Sequence, residues 1–218
     1  MRKLFVAILV VLGLVDCGMS TTVKAATNDV NNQFGIKIDG KFDDWKQFKK
    51  TPIQNDWPTD VVKGEVLLAD RKNIYYYITM SLSGKDNYPM QVNDYELIVG
   101  NVRSVIYIKE ADNIPANGSK KVLLQNTSHG KNLTHSPAII HRYVKNGKEY
   151  AKMECRIPFS DLGLSPTTEQ KITMYTPLLG NQTVTTEGGS TGPIILAVIG
   201  LVIASLAVFG ITKRKKSN

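Results

Sequence analysis

The stretch Ile139-Ile140-His141-Arg142-Tyr143-Val144-Lys145-Asn146-Gly147-Lys148-Glu149-Tyr150-Ala151-Lys152-Met153-Glu154-Cys155-Arg156-Ile157 decides how this chain is read. Two β-type runs flank an Asn-Gly pair. The two central residues of a tight hairpin turn need positive φ, and Asn-Gly tolerates that best. A two-residue turn sets Lys145 opposite Lys148 and so fixes the register. His141 then faces Lys152, Tyr143 faces Tyr150, Ile140 faces Met153 and Ala138 faces Cys155. Along the second strand Ala151, Met153, Cys155 and Ile157 form an apolar row, and Tyr150, Lys152, Glu154 and Arg156 a polar one. Cys155 is therefore expected to point into a core.

The same pattern extends in both directions. Glu65 to Asp70 and Ile74 to Ser81 are β-type runs joined by the polar turn Arg71-Lys72-Asn73. Tyr95 to Val99 and Val102 to Lys109 flank Gly100-Asn101, and Lys171 to Thr176 supplies a last strand. No stretch keeps a helical period between caps. Many short strands at this spacing predict an all-β, antiparallel sandwich.

The two ends read differently from the middle. Arg2 and Lys3 precede the apolar run Leu4 to Val15, and Val23-Lys24-Ala25 offers a cut after Ala25, the pattern of an export signal. Lipidation at Cys17 is the rival, against which stands Asp16 where a small residue is needed. An uncleaved anchor is the third reading, against which stands the short apolar run. Pro193 to Ile211 carries no charge and is followed at once by Lys213-Arg214-Lys215-Lys216. That is long enough to cross a ~30 Å hydrocarbon core, and a basic cluster beside a span stays on the cytoplasmic side. The expected organisation is a signal peptide over 1–25, a β-sandwich ectodomain over 26–182, a Gly/Thr-rich linker over 183–192, a transmembrane helix over 193–212 and a cytoplasmic tail over 213–218. The ectodomain would lie outside the cell membrane.

Charge supports that division. The 218-residue chain has 27 Lys+Arg and 19 Asp+Glu, a formal net charge of +8. Seven of the basic residues and one acidic residue lie in the two ends, leaving the ectodomain near +2. The excess belongs to targeting and topology, and a nucleic-acid footprint is not supported. With Cys17 in the export segment, Cys155 has no intramolecular partner.

Ile38-Asp39-Gly40-Lys41-Phe42-Asp43-Asp44-Trp45 resembles the opening of carbohydrate-binding module family 9-like domains, related to DOMON-like β-sandwiches. Leu67-Leu68-Ala69-Asp70-Arg71-Lys72-Asn73-Ile74-Tyr75-Tyr76-Tyr77-Ile78 is similar to the hairpin that follows in such domains. Arg156-Ile157-Pro158-Phe159-Ser160-Asp161-Leu162-Gly163 is similar to their late element. Asp39-Gly40 is expected to make a tight turn, Asp43 or Asp44 to cap the next one, and Trp45 to plug one end of the sandwich. The superfamily includes sugar binders and haem binders. For a sugar, Trp57 is the first choice as an exposed ring, with Tyr88 and Tyr95 behind it. For haem, Met80, Met90, His129, His135 and His141 are available as axial ligands, yet each has a bland role as core, loop or paired residue. No cofactor, metal site or catalytic residue is expected: Asp43 and Asp44 diverge as sequence neighbours, and there is no zinc spacing or phosphate loop.

The Gly-rich stalk, Thr191-Gly192-Pro193, the span and the basic end resemble the Firmicu-CTERM tail of Gram-positive surface proteins. Two roles follow as expectations, with a haem-binding DOMON-like domain as a minor third. One is a non-catalytic surface module for a glycan or wall-associated ligand. The other, implied by the tail resemblance, is an accessory subunit of a membrane complex such as flavin-based extracellular electron transfer.

Overall fold

The computed structural model describes residues 32–53, 62–81 and 90–189. The chain divides into Met1–Gln33 and Phe34–Asn218, and the fold belongs to the second unit. The expected export segment, Trp57, Tyr88 and the apolar run from Pro193 lie outside the described residues.

Among the described residues the strands are β1 (Val62–Ala69), β2 (Asn73–Ser81), β3 (Tyr95–Val99), β4 (Val102–Lys109), β5 (Ser119–Asn126), β6 (Lys131–Asn132), β7 (Ala138–Lys145), β8 (Lys148–Pro158), β9 (Gln170–Tyr175) and β10 (Thr183–Gly188). They pair in the order β1-β2-β8-β7-β5-β4-β3-β9-β10, with β6 beside β5. Every pairing is antiparallel. β5 is the corner. Its first half pairs with β7 and its second half with β4, so the sheet folds over on itself there. The two ends of the path then return to each other. The Gly189 N–H donates to the Asp70 carbonyl at 2.9 Å. A Cβ on Gly188 would lie only 2.5 Å from the Ala69 Cβ, so glycine permits that approach. The result is an all-β, nearly closed, sandwich-like fold.

The Asn146-Gly147 hairpin has the register its sequence predicts, from Lys145 opposite Lys148 through Ala138 opposite Cys155. Asn146 and Gly147 take φ of 52° and 71°, as the turn requires. Three strands escape the sequence reading. β5 has only the three-residue apolar run Val122-Leu123-Leu124 among polar neighbours, and β6 has none. β10 has one aliphatic residue, Val184, among threonines. Thr183–Gly188, expected as the start of the linker, is instead a strand paired with β9 along its whole length.

Two hydrophobic clusters sit on opposite faces of β2. Ile74, Tyr76, Ile78 and Met80 point into the main core with Leu67, Leu97, Ile108, Met153 and Cys155. Tyr75 and Tyr77 point the other way, into a second cluster with Ile36, Phe42, Trp45 and Val66. This is why Tyr75-Tyr76-Tyr77 is buried without a break: the N-terminal segment covers the outer face of the sheet. Trp45 accordingly lies across that outer face rather than plugging an end of the sandwich.

Candidate functional site

Trp45 is held from below. Its ring stacks on Tyr77 at 5.4 Å, and its Nε1–H donates to Glu154 Oε2 at 2.8 Å. The other oxygen of Glu154 accepts the backbone N–H groups of Asp39 (3.0 Å) and Gly40 (2.6 Å). One strand carboxylate thus fixes both the Asp-Gly turn and the tryptophan. Burial raises the Glu154 pKa, and the Gly40, Trp45 and Asp39 donors reverse only part of that rise. Asp39 closes its own turn by accepting the Lys41 N–H at 3.0 Å, with Gly40 at φ 83°. Neither Asp43 nor Asp44 caps the 3-10 turn at Asp44–Gln47. Asp43 instead pairs with Lys46 at 2.7 Å, and Asp44 reaches back to the Lys37 N–H at 2.6 Å.

Beyond the edge of this cover, the outer face of β7 and β8 carries a row of rings. Tyr143 and Tyr150, cross-strand partners, stack at 5.2 Å and 16°. His141 stacks on Tyr143 at 5.9 Å and 12°. Phe42 adjoins His141 at 6.2 Å. The Lys152 ammonium sits 4.3 Å from the Phe42 ring centre and 5.5 Å from that of Tyr143. Tyr143 and Tyr150 are half-buried, so part of each ring meets solvent. Ser119 Oγ, 2.8 Å from His141 Nδ1, orients the imidazole. Burial and then the Lys152 charge hold the His141 pKa below its ordinary value. Burial also lowers the Lys152 pKa, with Lys46 and Lys50 adding to the effect and Asp43 and Glu154 opposing it. The face offers partly exposed aromatic side chains, two phenol hydroxyls and an ammonium. Those groups suit contact with the C–H faces and hydroxyls of a sugar.

The chain matches no protein-family model, no curated protein and no solved structure.

The aromatic choices made from sequence fare unequally. Tyr95 is only 2% exposed; its ring meets Tyr76 edge-on at 6.1 Å and its hydroxyl donates to the Gln91 carbonyl at 2.8 Å. It is a core residue and offers no stacking face. Trp57 and Tyr88 lie outside the described residues. Sequence reasoning passed over Tyr143 and Tyr150, although the hairpin register had already set them side by side on the polar face. The sulfurs and imidazoles considered for haem are dispersed in role: Met80 and Met90 are in the main core. His141 belongs to the ring row, and His135 Nδ1 lies 2.9 Å from Asp161 Oδ1. Asp161 also accepts from the His135 N–H and the Ser136 hydroxyl. Burial raises its pKa, but these bonds outweigh that and leave it below the ordinary value. Among the described residues, no three His, Cys, Asp or Glu side chains gather as a metal site.

Proposed function

We propose that this protein is a non-catalytic binding module anchored at the cell surface, and that the outer face of β7 and β8 takes a glycan or wall-associated ligand. The observation that carries this reading is the row His141–Tyr143–Tyr150 with Lys152 beside it, left half open where the N-terminal cover stops. The sandwich-like fold and the family 9-like opening around Trp45 support it. The export signal and the apolar run with its basic end support the surface location.

The test uses the full chain in detergent, applied to glycan arrays and to isolated cell walls. Each stacking contact is worth about 0.5–1.5 kcal/mol, so a Tyr143→Ala/Tyr150→Ala double variant should bind roughly tenfold more weakly. Glycan binding that survives the double variant unchanged would remove the site. A crosslinked membrane partner with no glycan signal would favour the accessory-subunit role instead.

A further inference from the structure

The opposite end of the sheet carries a second feature. A groove of about 410 Å³ lies between the β1–β2 turn and the connection from β8 to β9. Arg71 and Lys72 line it together with Phe159, Ser160, Leu164 and Pro166. No carboxylate lines it, and neither Arg71 nor Lys72 enters an ion pair among the described residues. The groove is firmly built. The Phe159 N–H donates to the Lys72 carbonyl at 2.9 Å, and Asp70 Oδ1 accepts the N–H groups of Lys72 and Asn73 at 2.8 and 2.7 Å. Gly163, at φ 73°, ends the 3-10 turn Phe159–Leu162.

The described residues end at this same place, with Gly189. A Cβ on Gly189 would lie 2.7 Å from Pro166 Cγ and 3.3 Å from the Phe159 ring, so Gly189 runs along the wall of the groove. Only residues 190–192 separate it from Pro193, where the apolar run begins. At up to ~3.6 Å per residue, that tether reaches no more than about 14 Å. If the apolar run spans the membrane, the groove cannot stand far from the lipid headgroups.

We infer that this groove seats the headgroup of an anionic phospholipid in the outer leaflet, an inference that rests on the anchored reading above. Arg71 can grip a phosphate diester with its planar fork, and Lys72 adds a point charge. Ser160 offers a hydroxyl donor to the same phosphate. Leu164 and Pro166, both partly exposed, face the glycerol and the first methylenes of the chains. The domain is then oriented: the groove end lies on the membrane, and the Asn146-Gly147 end with its tyrosine row points outward.

The experiment reconstitutes the full chain into vesicles of phosphatidylcholine alone or of an equal mixture with phosphatidylglycerol. Backbone hydrogen exchange is followed over residues 71–73 and 158–167. We expect exchange there to slow severalfold in the mixture, as an anionic surface favours each nearby cation roughly fivefold. The difference should vanish in Arg71→Glu/Lys72→Glu. Equal exchange in the two vesicles, or a difference that survives the charge reversal, overturns the inference. Equal protection of the detergent-solubilised chain by free glycerol phosphate would assign the groove to a soluble ligand and also overturn it. Carbonate extraction separates the two readings. A chain that stays in the vesicles without lipid-dependent protection loses only the groove; a chain that is extracted loses its anchor and this inference with it.

Discussion

Two glutamates on the strands that flank β2 meet opposite fates. Glu154, on the outer face of β8, is fully buried beneath the N-terminal segment and accepts three hydrogen bonds. Glu65, on β1, points the other way into the main core and is 1% exposed. Its Oε1, the Tyr76 hydroxyl and the Thr176 hydroxyl are all buried and make no hydrogen bond of good geometry. Burial pushes the Glu65 pKa up to about 7, even with those hydroxyls close enough to offset part of the rise. The outer cluster is thus organised around a satisfied carboxylate, and the inner core tolerates an unsatisfied one. A buried polar group specifies structure where its partners are complete and costs stability where they are not.

The largest test of that contrast is Trp45→Ala. The ring is 0% exposed, stacked on Tyr77 and bonded to Glu154. Its loss should cost about 3–5 kcal/mol in a denaturant titration, as for other large buried aromatics. An unchanged midpoint would mean that the N-terminal segment is not part of the folded core.

The same substitution at the two glutamates should have opposite signs. Glu154→Gln places an amide NH2 against donors that need an acceptor, and should destabilise by about 1–3 kcal/mol. Glu65→Gln removes a carboxylate that resists ionising. Its folded pKa lies above its unfolded value, so the folded state holds the proton more tightly. Its contribution to stability is present in full below pH ~4.5 and is lost as pH rises through about 7. Relative to Glu65→Gln, the natural chain should lose about 3 kcal/mol over that window. Paired urea titrations at pH 5 and pH 8 read the effect, and parallel curves for the two chains would show that Glu65 is solvated.

Cys155 probes the inner core by rate rather than by energy. Burial pushes its thiol up to about 12, leaving almost no thiolate at neutral pH. In a Cys17→Ser chain, where it is the single thiol, a polar maleimide should label it slowly when folded and rapidly in denaturant. Equal rates would break the register that places it opposite Ala138.

What the sequence made legible follows the physics of each region. The β7–β8 hairpin was readable because Asn-Gly admits one turn geometry and a period of two then fixes every partner. Cys155 followed from that register alone. The outer cluster was not readable, because Glu154 sits in the polar row of β8 and nothing local says that this row is covered. Only the need of a buried Trp Nε1–H for an acceptor points to it. Glu65 looked like the polar start of a strand, yet it shares a face with Leu67 and Ala69. Tyr95 misled for the reverse reason: a tyrosine at a strand start beside polar residues reads as exposed, and its alternation with Leu97 and Val99 carries it inward.

The smallest expected effect lies where the outer cover ends. Tyr143 and Tyr150 share the face that Trp45 occupies, but each is only half-buried, and their ring contacts are with each other and with His141. Tyr143→Ala removes a stacked cross-strand pair and the contact with His141, while leaving the turn, the register and the Glu154 bonds in place. Such a pair is worth about 0.5–1.5 kcal/mol, so the midpoint should move by a fraction of the Trp45→Ala shift. This small cost separates the two jobs of the outer face. If the rings exist to hold the fold, Tyr143→Ala should approach Trp45→Ala in the titration and binding should fall only as folding fails. If they exist to meet a ligand, the chain should stay folded and its glycan binding should fall on its own. A stability loss of about 3 kcal/mol or more would assign the row to the core and leave the module without its proposed contact surface.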